Sequence, residues 1–241
     1  YKAMNFLLEY HELSHPTKDD DETYKNALIL IESSAMEARD SDENKFLQQM
    51  SRAKKDNASL FSNAEVLANA KILFFAGQDT TGSLLTYILY KLGCSDSRHW
   101  QETLYKQYLN IQDLPLSEII NKLPLLDAII IESIRLHPPA YAQTRVAKQD
   151  LIINEKYFVP KNTVIYMLHY FALRHHKTWG ASALEFNPSR HMQGDKVIPS
   201  QIVFDVFSRG PTSCLGKYFA LTMIKIFLMS LLSKYHWETQ T

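Results

Sequence analysis

Phe207-Ser208-Arg209-Gly210-Pro211-Thr212-Ser213-Cys214-Leu215-Gly216 is a loop of small residues and chain breakers that runs directly into a helical pattern. Phe219, Ala220, Met223, Ile224, Phe227 and Leu231 recur at helical spacing and give that following helix one apolar face. A cysteine just ahead of a helix start lies where backbone N–H groups and the helix dipole favour negative charge, and the thiolate is the form that binds metal. Gly210 and Gly216 allow the backbone to approach a flat cofactor closely, and Phe207 is placed to shield the sulfur from water. A buried structural thiol is the commoner fate of a lone cysteine. The loop by itself divides evenly between the two readings.

Upstream, Ser62-Asn63-Ala64-Glu65 has the form of a capping box and predicts a helix from there to about Leu92, stopping at Gly93. Val66, Ala70, Leu73, Gly77, Thr80 or Thr81, Leu84 and Ile88 fall on one stripe. Inside that stripe lies Ala76-Gly77-Gln78-Asp79-Thr80-Thr81-Gly82, whose glycines, acid and threonines are poor helix formers. A threonine hydroxyl also bonds back to a carbonyl and distorts the turn. One reading is a core helix with incidental polar residues. Another is a membrane span over residues 72–92, against which Asp79 stands at a cost of about 3 kcal/mol. The functional reading has the helix open locally, with Gly77 leaving room for a ligand and Asp79-Thr80 delivering protons.

Between these stretches, Leu114-Pro115-Leu116-Ser117 introduces a short helix through Lys122, and Pro124 opens another with Leu125, Leu126, Ile129, Ile130 and Ile134 as apolar positions. It ends before His137-Pro138-Pro139, because a residue preceding proline is steered out of helical geometry. Glu132 and Arg135, three apart, share a face. Such a pair is usually a weak surface ion pair, yet the isoleucines around it predict burial, where a pair must be well satisfied. Leu151-Ile152-Ile153, Tyr157-Phe158-Val159 and Val164–Leu168 are β-rich runs punctuated by turn residues and predict a small antiparallel sheet between helices. His169, His175 and His176 lack an acidic or cysteine partner at metal-ligand spacing, so a zinc site is not expected there.

Composition narrows the classes. The 241 residues carry 26 Lys+Arg against 26 Asp+Glu, and a net charge of zero gives no footing for a nucleic-acid partner. Two cysteines, Cys94 and Cys214, lie far apart and form neither a disulfide framework nor a zinc pattern, a usage that points to a reducing compartment. Residues 23–50 have mixed helical spacing (Leu28, Ile31, Ala35, Phe46, Leu47, Met50), Asp19-Asp20-Asp21-Glu22 reads as a solvated turn, and 51–59 as a connection.

Four motifs in order resemble the cytochrome P450 family: Gly77-Gln78-Asp79-Thr80-Thr81; Glu132-Ser133-Ile134-Arg135 with Leu136-His137-Pro138-Pro139; Phe186-Asn187-Pro188-Ser189-Arg190; and the Cys214 loop. The similarity runs from about Asn57 onward. It implies a mainly α fold with a small antiparallel β-sheet, with residues 1–241 as the C-terminal part of a single domain. Residues 1–59 would be preceding helices and connections, and 60–241 the haem-binding core. It implies that Cys214 is the axial ligand to the iron of haem b (iron protoporphyrin IX), within a cofactor-binding set of Phe207, Gly210, Cys214, Gly216 and Arg145, the last meeting a haem propionate. Thr80 with Asp79 would relay protons to dioxygen, and Glu132, Arg135 and Arg190 would form a buried ionic triad that fixes the cysteine loop. Ile72 to Ala76 and Ala140 to Thr144, including Tyr141, would face substrate.

Two departures stand out. Leu173-Arg174-His175-His176 ahead of Trp179 differs from the usual histidine-arginine-aspartate-proline, and Thr212 replaces an arginine that usually pairs with a propionate, with Arg209 near enough in sequence to substitute. The implied function is a haem-thiolate monooxygenase that inserts one oxygen atom of dioxygen into a lipophilic small molecule, with electrons from an NADPH-cytochrome P450 reductase-type donor. A haem-thiolate isomerase or dehydratase and a truncated, non-catalytic remnant are the alternatives. The resemblance also places the protein on the cytoplasmic face of the endoplasmic reticulum membrane, with a membrane anchor expected upstream of this chain.

Overall fold

The computed structural model describes residues 62–198 and 200–239; the readings made for residues 1–59 lie outside them. The chain falls into two compact units, 1–79 and 80–241.

Helix α1 (Asn63–Gly93) starts at the capping box. The Glu65 N–H donates to Ser62 Oγ (3.1 Å) while the Ser62 N–H donates to the Glu65 carboxylate (2.6 Å), so two otherwise orphaned donors are satisfied reciprocally. The local opening predicted around Gly77–Thr81 does not occur, and α1 is helical without interruption. Hydrogen bonds on both sides propagate the helix through its poor formers. The Thr86 hydroxyl bonds back to the Gly82 carbonyl (2.8 Å) without breaking the helix.

In the second unit, the C-terminal half of α1 is followed by α2 (His99–Leu109), the short α3 (Leu116–Ile119) and α4 (Pro124–Leu136). Proline at the first position and His137-Pro138 at the end bound α4 as the sequence predicts. Its isoleucines and leucines face neighbours on every side. Leu126, Ile129 and Ile134 are fully buried against Leu84, Ile88 and Leu92 of α1 and against Ile224, Leu228 and Met229 of α8 (Lys217–Leu232).

The β-rich runs are strands, but they pair separately. β2 (Leu151–Ile153) and β3 (Tyr157–Val159) form a hairpin around Asn154 and Glu155, both in left-handed conformation at φ 52° and 56°. β4 (Val164–Met167) instead pairs antiparallel with β1 (Gln143–Val146), in the register Gln143↔Met167. A turn through Asn162 (φ 70°), clamped by its N–H to the Ala147 carbonyl (2.8 Å), directs the chain to that partner. Short helices α5 (His169–Ala172) and α6 (His176–Trp179), a 3₁₀ turn at Pro188–His191, the two-residue strands β5 (Met192–Gln193) and β6 (Lys196–Val197), and α7 (Gln201–Phe204) lead to the cysteine loop.

A buried ionic cluster ties α4 to the segment 173–191. Both Glu132 oxygens accept from Arg135 (2.7 and 2.8 Å), Oε1 also from Arg190 (2.9 Å) and the Asn187 N–H (2.9 Å), and Oε2 meets His191 Nε2 at 2.8 Å. The remaining Arg135 donors reach the carbonyls of Leu173, Ala183 and Glu185, and its guanidinium lies 4.8 Å from the Trp179 ring. Arg190 reaches the Ser182 carbonyl (2.9 Å). Burial pushes the Glu132 carboxyl up, but the hydrogen bonds from Arg135 and His191 outweigh it and hold the group at about 2. Both carboxylate oxygens of Glu132 and the Nε, Nη1 and Nη2 groups of Arg135 are thereby engaged, as a buried ion pair requires.

Replacing Glu132 with Ala leaves two guanidinium groups short of their anion, and urea unfolding should show a loss of about 3–5 kcal/mol. Because the folded carboxyl sits below its unfolded value of 4.5, its stabilisation is complete above that value and is lost as pH falls toward about 2. In Glu132→Gln this part of the acid dependence should be missing.

Candidate functional site

The cysteine loop is shaped by its backbone. Ser208 and Gly210 take left-handed conformations at φ 62° and 67°, and the Gly210–Thr212 turn then returns the chain so that the Cys214 N–H donates to the Phe207 carbonyl (2.7 Å). Gly210 meets this torsion without the steric cost of a side chain. A Cβ on Gly216 would lie 4.0 Å from Cys214 Sγ, an ordinary van der Waals contact. The helix α8 starts three residues after the cysteine, at Lys217.

This loop forms one wall of a cavity of about 480 Å³. Thr80, Thr81 and Leu84 of α1 form another wall, Pro139, Ala140 and Ala142–Arg145 a third, and Ala220, Leu221 and Ile224 of α8 close it. The lining is mainly apolar; Arg145 is its one ionic side chain among the described residues. Thr80, Arg145, Phe207 and Cys214 therefore meet in a single cavity, with Gly210 and Gly216 bracketing the cysteine. Asp79 is the last residue of the first unit and is partly buried; the cavity belongs wholly to the second.

Three expectations change. Phe207 lines the cavity but does not screen the sulfur, since Cys214 is exposed while Cys94 is buried. Its ring lies instead against Phe204, with the Lys217 ammonium 5.6 Å from its centroid. Tyr141 is exposed and contributes no surface to the cavity, although Ala140, Ala142 and Thr144 do. Arg209, adjacent in sequence to the cavity residues, is not among them: Asp205 holds its guanidinium through two hydrogen bonds of 2.6 and 2.8 Å.

Two residues that position the site, Gln143 and Ser208, acquire that role only through long-range contacts. Gln143 Nε2 donates to the carbonyls of Asp205 (3.2 Å) and Val206 (3.1 Å), fastening β1 to the start of the cysteine loop. Arg145 donates to Ser208 Oγ (2.9 Å), whose hydroxyl lies 3.4 Å from that of Thr212. At the far end of α4, His137 stacks on Tyr87 (4.8 Å, 13°) and meets Ser83 Oγ at 3.1 Å, which anchors the Pro138-Pro139 corner to α1. Burial, with Arg174 nearby, lowers the His137 pKa.

The fold thus brings one accessible thiol, one cation and a helix-borne threonine to an apolar cavity. The sequence pattern of the cytochrome P450 family matches residues 5–241. Secologanin synthase 1 of Catharanthus roseus is 32% identical over 188 residues, covering 77% of this chain and 35% of that protein. A cytokinin hydroxylase of Arabidopsis thaliana is 35% identical over 175 residues (71% and 33%), and cytochrome P450 3A6 of Oryctolagus cuniculus is 28% identical over 237 residues (96% and 47%). The chain belongs to the cytochrome P450 family, in general a family of haem-thiolate monooxygenases. It spans about a third to a half of the length of these relatives.

The exposure difference between the two thiols is directly measurable. In the folded, haem-free chain a bulky aromatic disulfide reagent should modify one thiol rapidly, and Cys214→Ala should abolish that fast phase while Cys94→Ala leaves it intact.

Proposed function

We propose that the protein is a monooxygenase of lipophilic small molecules that carries haem b on the thiolate of Cys214. The observation that supports this most strongly is the cavity itself, with Cys214 on one wall and Thr80 on another. The residues present fit the cofactor. Apolar walls suit a macrocycle, Arg145 suits its carboxylates, and Cys214 is exposed on the cavity wall. When bound, the haem supplies dioxygen activation, and electron donation from a cysteine thiolate favours O–O cleavage.

In this reading Cys214 Sγ holds the iron, and the loop hydrogen bond from its own N–H to Phe207 fixes where the sulfur stands. Thr80 Oγ1 holds and passes a proton, with Asp79 beside it in sequence as the acid that resupplies it. Ala140, Ala142 and Leu84 exclude water and offer an apolar surface to substrate. A haem-thiolate isomerase or dehydratase would have no use for proton delivery to dioxygen, and the Asp79-Thr80 pair favours the monooxygenase. Electrons would come from an NADPH-cytochrome P450 reductase-type donor. No helix among the described residues is long and apolar enough to cross a membrane; attachment to the cytoplasmic face of the endoplasmic reticulum is proposed from the family alone.

The test is the absorption spectrum of the full-length protein, reduced and exposed to carbon monoxide. The reading predicts a red-shifted thiolate-type band that Cys214→Ala removes. A folded full-length protein that takes up no haem, or a band that survives the substitution, contradicts it.

A further inference from the structure

The cavity offers a cofactor's acidic edge very little positive charge. Among the described residues Arg145 is the one ionic side chain lining it, and that guanidinium is oriented by the Thr144 carbonyl (2.8 Å) and Ser208 Oγ (2.9 Å). Beyond Ser208 stands Thr212, whose hydroxyl makes two long contacts among the described residues, 3.4 Å to Ser208 Oγ and 3.4 Å to the Arg209 carbonyl. It therefore has capacity for another partner. The nearest other cation along the loop, Arg209, is engaged with both oxygens of Asp205, the fork-to-fork geometry that is strongest for this pair. Asp205 is in turn held by the Gln201 amide (3.3 Å). Pairing with Arg209, which outweighs partial burial, keeps the Asp205 carboxyl below its ordinary range, so the partnership persists at neutral pH.

We propose that this chain retains haem with an uneven clamp, in which Arg145 supplies the charge, the Ser208 and Thr212 hydroxyls share the same edge, and Asp205 withholds Arg209. This rests on the reading that the cavity binds haem. Two carboxylates then compete for one guanidinium, and a hydroxyl is a weaker partner for an anion than a guanidinium is. Cofactor retention in this protein is consequently loose and adjustable at position 212.

Haem transfer from the full-length protein to excess apomyoglobin, followed by absorbance, reads retention without any turnover. Arg145→Gln should speed haem loss by about tenfold or more, and Thr212→Arg should slow it by about tenfold, the range expected for a charge-assisted hydrogen bond. Arg209→Gln should leave the rate within about twofold, as expected for an exposed ion pair away from the ligand. Positions 209 and 212 are exposed, so these two variants keep the fold intact and the comparison interpretable. If Arg209→Gln accelerates loss as much as Arg145→Gln, or Thr212→Arg leaves the rate unchanged, the uneven clamp is wrong while the haem reading stands. A protein that takes up no haem overturns both.

Discussion

Much of the second unit depends on one buried carboxylate. Glu132 collects Arg135, Arg190, His191 and the Asn187 N–H on two oxygen atoms, and the guanidinium groups it orients then reach backbone carbonyls between residues 173 and 185. That segment has little regular secondary structure of its own. Its carbonyls would be costly to bury without donors, and the arginines supply them. Hydrophobic contact packs α4 from every side, but the ionic cluster specifies which irregular chain lies against it.

The same helix leads to the cavity. Ile134 of α4 contributes to the lining, and the Pro138-Pro139 corner, held to α1 through His137, Tyr87 and Ser83, starts the wall that continues into β1. Gln143 then ties β1 to the first residues of the cysteine loop. Cys214 is thus presented by a loop that is closed by its own backbone hydrogen bonds and fastened at its base. A thiol held in this manner can face an open cavity without the burial that usually accompanies a single cysteine.

Local chemistry was legible in the sequence. The capping box at Ser62, the proline-bounded helix carrying Glu132 and Arg135, and the breaker-rich loop ahead of Cys214 each rest on interactions within a few residues, so pattern and spacing suffice. The pairing of β4 with β1 was not legible, because it depends on the turn at Asn162 and on a partner strand that reads as an irregular stretch. His191 also escaped notice: nothing in Pro188-Ser189-Arg190-His191 marks the imidazole as a further partner of Glu132, 59 positions away. Likewise Gln143 and Ser208 acquire their roles only from long-range contacts. The uninterrupted α1 shows the opposite limit, since poor intrinsic formers were overridden by the helix around them.

The central claim is that Cys214 places its sulfur on the haem iron. X-ray absorption at the iron edge, on the ferric full-length protein, observes that bond directly. The account predicts a sulfur neighbour bonded to iron in the wild-type protein and none in Cys214→Ser. Iron surrounded only by nitrogen and oxygen in the wild-type protein, or a sulfur neighbour that persists in the variant, would contradict it.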